Sequence, residues 1–124
     1  VKVEIVRVVD AARGLVRFRS AAGSASGFWK GSGPAVLGEV HVELDLPAEV
    51  SEWEVVPGLG FALEGGLRED AQASLTGEVL AVDDVVTLRV GGDVVLVEFS
   101  GPVPRVGQRV RVAAAEVHLY PYRL

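Results

Sequence analysis

Cysteine and methionine are both absent from this sequence of 124 residues. Without cysteine there is no disulfide, no thiolate nucleophile and no Cys-ligated zinc. Aromatics make up only 6% of the chain. No segment approaches the roughly 18 consecutive apolar residues of a membrane helix, so no membrane association is expected. The opening VKVEIVRVVD intersperses charges with Val and Ile and reads as a strand rather than a leader. With neither targeting signal nor cysteine, a cytoplasmic location is expected. A strong basic charge is lacking too. The net charge is −5, with 6 basic and 9 acidic groups in residues 1–64 and 6 and 8 in residues 65–124. Non-specific nucleic-acid binding runs on phosphate neutralisation, and this balance weighs against it.

What is present is valine, alanine and glycine. The hydrophobic fraction is 49% and the mean hydropathy +0.34, and the apolar residues alternate with polar ones instead of running together. Arg outnumbers Lys ten to two, a usage resembling that of a GC-rich bacterium. Period-two alternation predicts strands over 2–8, 14–19, 38–46, 52–56, 59–64, 77–82, 85–90, 93–99, 108–112 and 116–122. Gly91-Gly92 supplies the backbone freedom of a tight hairpin turn. Pro121 blocks further ladder bonding, so the last strand should end there or lie at an edge. Helical signal is confined to 67–73, about two turns, and 113–116, a single turn or a strand junction. The predicted core holds Val3, Ile5, Phe18, Val40, Val42, Leu44, Leu88, Val95, Val97, Val110 and Val112.

One motif occurs twice. GPAVLGEVHVEL from Gly33 and GPVPRVGQRVRV from Gly101 each join a Gly-Pro, a short apolar loop, a glycine and an alternating strand. Proline stops a ladder and the following glycine permits the turn, which makes the corner a small barrel needs. Trp29 lies upstream of one copy and Phe99 of the other. The sequence therefore predicts an all-β chain, a small Greek-key or OB-like barrel or a sandwich, with an internal duplication of two five-stranded units. The units would span 1–64 and 75–124 with a polar linker over 65–74, or else merge into one domain. Chance echo in a Val- and Gly-rich chain is the competing explanation. The Gly and Val spacing in residues 77–120, opening with GEV and continuing through VTLRV, VGQRVRV and VHLY, resembles the OB-fold and TOBE-like small barrels. That resemblance implies a barrel that binds an oxyanion, an oligonucleotide or another protein, and it carries no site residue across.

Three constellations could carry function. GSASGFWKGSG (23–33) reads either as a glycine-rich loop or as a short strand between turns. As a loop it would present Phe28, Trp29 and Lys30 beside Arg17 and Arg19, a surface suited to stacking bases or holding a small anion. His41, Glu43 and Asp45 share one strand face at spacings of about 6.5–7 Å, which suits zinc or manganese if other strands complete the set. The remaining feature is DVVLVEF (93–99), an aliphatic segment with few charges to guard it if it lies at a sheet edge. Neither His41 nor His118 sits near a nucleophile motif, and no catalytic residue or cofactor is expected. The favoured expectation is a non-catalytic interaction or accessory domain that pairs with itself or with a protein partner. An OB-type module for single-stranded nucleic acid or a small anion, and a metal-binding β protein, are the alternatives.

Overall fold

The computed structural model describes residues 1–58, 60–65 and 73–122. Of the helical signal over 67–73 all but Ala73, which begins a strand, lies outside the described residues, as does most of the expected 65–74 boundary. Among the described residues there is no helix, and the chain is all-β with eleven strands. These are β1 (Lys2–Asp10), β2 (Leu15–Ser20), β3 (Gly23–Trp29), β4 (Gly38–Asp45), β5 (Trp53–Val55), β6 (Ala62–Gly65), β7 (Ala73–Val82), β8 (Val86–Val90), β9 (Asp93–Val97), β10 (Arg109–Ala114) and β11 (His118–Pro121).

Alternation assigns the faces. Val16 and Phe18 are buried while Arg19 is exposed, and Val95 and Val97 are buried while Val94 and Leu96 are exposed. Of the expected core residues, Val40 and Leu44 are half-buried against the core and the others are buried. Strand β3 has a different cause. Its GSASG has almost no aliphatic signal, and small side chains are what its neighbours require. A Cβ on Gly23 would lie 2.1 Å from the Leu63 carbonyl oxygen, and one on Gly27 would lie 2.5 Å from Leu119 Cδ1. The glycines let β6 and β11 approach to ladder distance.

The first four strands run β4-β1-β2-β3, all antiparallel. β11 then pairs parallel with β3 and antiparallel with β4, which closes a five-stranded barrel compatible with an OB-like fold. The second half repeats the plan as β10-β7-β8-β9. Here β5 pairs antiparallel with β10, and Val50, just ahead of it, makes a parallel bridge to Phe99, just beyond β9. The closing segments are thus exchanged. The segment following β4 seals the second set, and the segment following β10 seals the first. Between them β6 lies parallel to β3 and antiparallel to β7.

The likeness of the halves extends to single residues. Ile5 faces Phe18 and Val79 faces Leu88, and each pair is followed by a register shift. The extra residues, Val6 and Leu80, are 38% and 39% exposed. A bulge bends its strand and adds twist, so β1 can pair first with β4 and then with β2, and β7 likewise with β10 and β8. One step before each bulge, a carboxylate faces an arginine across the strands. Glu4 pairs with Arg19, and Glu78 with Arg89 at 3.3 Å. Both Gly-Pro loops are pinned by an indole. Trp29 Nε1 donates to the Gly33 carbonyl at 2.9 Å and Trp53 Nε1 to the Pro102 carbonyl at 3.1 Å.

Closure of the first barrel by the chain's last strand has a direct test. Leu119 is fully buried, and Leu119→Ala should cost about 2–5 kcal/mol in urea unfolding. Hydrogen exchange should rise first at the Phe28 and Lys30 amides, which donate to Val117 and Leu119 at 2.8 and 2.9 Å.

Candidate functional site

The basic and aromatic residues singled out in the N-terminal part divide between two sides of β3. Arg17, Arg19 and Phe28 share the outer face of β2 and β3, where Arg17 stands opposite Ser26 and Arg19 opposite Ser24. The Arg13 guanidinium lies 5.5 Å from the centre of the Phe28 ring, and His118 meets that ring edge-on at 5.9 Å. Arg19 is paired with Glu4, and Arg17 Nη1 reaches the Gly65 carbonyl at 3.4 Å. Trp29 points the other way. It is half-buried against the core, and its N–H is engaged by its own loop. Lys30 is exposed at the strand's end, its backbone N–H held by β11. Trp29 and Phe28 are therefore not parts of one stacking platform.

His41, Glu43 and Asp45 lie along the outer face of β4. Their cross-strand neighbours are Lys2, Tyr120 and His118 respectively. The His41 ring sits 6.0 Å from that of Tyr122, and Lys2 forms its ion pair with Glu39 at 3.6 Å. The second histidine comes close in space, with His118 Nε2 3.5 Å from the Glu116 carboxylate and its Nδ1 buried without a hydrogen-bond partner in the described part of the chain. Among the described residues no group of three or more His, Asp or Glu is placed to hold a metal ion.

A concavity lies elsewhere among the described residues. A groove of about 960 Å³ runs between β9 and the outer wall made by β4 and β11, with Leu44, Val94, Leu96, Tyr120 and Tyr122 on its sides. Val94 and Leu96 are 57% and 56% exposed. Among the described residues β9 has one ladder partner, β8. Its other edge has no ladder partner among the described residues. Val90 and Asp93 face each other across the two-residue turn Gly91-Gly92, and the residues flanking such a turn exchange both of their hydrogen bonds. Alternation then points the N–H and C=O of Val94 and Leu96 away from β8. The carbonyl of Glu98, next in that series, accepts from the Val50 N–H at 2.8 Å. Exposed aliphatics also crown the two Gly-Pro loops, Val36 and Leu37 on one and Val103 and Val106 on the other.

A scan against protein-family models and searches of curated proteins and of solved structures return no match to this chain. The groove residues were missing from the sequence-based site, although its edge was legible. DVVLVEF places valine or leucine on both faces of one strand, which a strand covered on one side only does not need.

The outer face of β4 generates the second prediction. Zinc, manganese or EDTA should leave the melting temperature unchanged, whereas a cation bound at a hundred times its Kd would stabilise by about 2.7 kcal/mol. Differential scanning fluorimetry measures this directly.

Proposed function

We propose that this protein is a non-catalytic protein-interaction module that docks partners in the groove beside β9. The observation that carries the reading is an aliphatic sheet edge left open along one side of an apolar groove. Native sheets protect their edges with charge, proline, bulges or a covering segment. Between Asp93 and Glu98 this edge has none of the first three, and its two outward side chains are aliphatic. Two tyrosines on the opposite wall add ring surface of the kind enriched at interfaces. Partner proteins and further copies of the chain both fall within this reading.

The barrel itself we infer to be OB-type. The ring β1-β2-β3-β11-β4 has antiparallel neighbours throughout except for the parallel β3–β11 pair, which supports a five-stranded Greek-key closure. The finer likeness to TOBE-like domains rests on glycine and valine spacing. A ligand module for single strands or small anions would use the outer face of β2 and β3, where Arg17, Arg19 and Phe28 stand. That reading has less support, since Trp29 turns inward and Arg19 is neutralised by Glu4.

The docking surface is tested by charge. The double variant Val94→Lys, Leu96→Lys replaces two exposed side chains and should alter stability by less than about 0.5 kcal/mol each. It should abolish any self-association seen by native mass spectrometry and any partner retained on the immobilised wild type. Equal association by wild type and variant would place the interaction surface away from β9.

A further inference from the structure

The two halves follow one plan, and they differ in what lies on the edge of the third strand. In the first half, β6 covers the start of β3, with Leu63 opposite Gly23 and Glu64 opposite Ser24. The Leu63 N–H donates to the Ala22 carbonyl at 3.0 Å. By the repeated register, Phe18 facing Ala25 and Leu88 facing Val95, the start of β9 corresponds to the start of β3. The place that β6 occupies on β3 corresponds on β9 to the groove, which is lined by Lys2 on β1 and by Asp93 and Val94 on β9. β6 also pairs with β7, the first strand of its neighbouring half, and the groove borders β1, the first strand of the other.

We propose that this groove takes up a single extended polypeptide segment of a partner protein, running parallel to β9 and hydrogen-bonded to the outward backbone groups of Val94 and Leu96. The inference rests on the interaction reading above and names the occupant. Strand addition draws affinity from main-chain hydrogen bonds and specificity from alternate side chains. A segment added to this edge would lie about 4.8 Å from β9. Leu44, Tyr120 and Tyr122 line the same groove as Val94 and Leu96 and would flank the added segment.

The slot is related to the β6 site but not identical to it. Asp93 stands where β3 has Gly23, and at Gly23 a Cβ would strike the incoming carbonyl. The segment therefore engages two residues further along, opposite Val95, with its carbonyl accepting from Leu96 and its N–H donating to Val94. Glu43, Asp45 and Asp93 border the groove; Asp93 is ion-paired with the Val1 ammonium at 3.5 Å and the Lys2 ammonium with Glu39 at 3.6 Å, which leaves Glu43 and Asp45 in excess. The excess of carboxylates favours a segment that is aliphatic at its centre and basic at its flank.

The test uses the full chain and two blocked hexapeptides, Gly-Phe-Ala-Leu-Glu-Gly, which copies residues 60–65, and its analogue with lysine in place of glutamate. Amide chemical shifts of the protein are followed during titration. The expected result is saturable shifts at Val94 and Leu96, with tighter binding of the lysine peptide. Leu96→Pro, which removes an outward N–H while sparing the β8 ladder, should weaken binding about tenfold, the loss of roughly one hydrogen bond and its seating, and Leu96→Thr should retain it. The lysine peptide N-methylated at its leucine should fail against the unaltered protein, a readout independent of any variant's folding. Shifts confined to Leu44, Tyr120 and Tyr122 and indifferent to N-methylation would overturn strand addition and leave the interaction reading standing. No shift along the groove with either peptide would overturn both.

Discussion

The short parallel ladder between β3 and β11 is the contact on which the architecture turns. It joins strands from opposite ends of the chain and closes the first barrel. It depends on Gly27, because Leu119 Cδ1 and the Val117 carbonyl occupy the space where a side chain would begin. Leu119 and Val117 are both fully buried, so the ladder brings hydrophobic burial as well as hydrogen bonds. Its counterpart, the bridge between Val50 and Phe99, is a single pairing reinforced by the edge-on contact of Trp53 with Phe99 at 6.1 Å. Because each half is sealed by a segment of the other, neither barrel reaches its full set of strands alone. Such non-local pairing pays loop-closure entropy before any burial offsets it, which makes slow folding the physical corollary.

Exchange also explains where the surface is left open. The segment that follows β5, the strand sealing the second half, continues into β6 and covers the start of β3. The corresponding edge of β9 has β8 on one side and the groove on the other. The halves thus share their bulges, their indole-pinned Gly-Pro loops and their Glu–Arg pairs, and they part company where a strand could still be added. Function, on this reading, sits in the broken symmetry rather than in a cluster of reactive side chains. Several charged residues on the outer faces are paired across strands, as in Glu4–Arg19, Glu78–Arg89 and Glu54–Arg111. Exposed pairs of this kind add little stability, but opposite charges directly across a ladder favour the native register over a slipped one.

Much of the strand pattern was legible because alternation is a local property. Val16 and Phe18, Val95 and Val97, and Val110 and Val112 announce their buried faces within a few residues. The strand over 73–82 extends further back than its sequence signal, since Ala73, Ser74 and Thr76 have weak periodicity and are held by β6 and β10 on either side. The GSASG segment was ambiguous for a related reason. Its strand conformation is imposed by neighbours that need small residues there, and no propensity of its own foreshadows them. The candidate sites suffered from the same limit. Arg17, Phe28 and Trp29 are close in sequence, yet β3 sends Phe28 and Trp29 to opposite faces.

The amino-acid sequence by itself determined that the chain is β-rich, which residues face the core on most strands, and that one corner motif is used twice. Those features follow from side-chain polarity, proline and glycine, which act over a few residues. The tertiary structure alone decided which strands are neighbours, that the closing segments change places, and that, among the described residues, β9 rather than β3 keeps an open edge. Strand pairing is made by backbone groups common to every residue, so an alternating strand is equally suited to many partners. The choice among them falls to the packing of the whole chain, through contacts such as Leu119 over Gly27 that no local pattern contains.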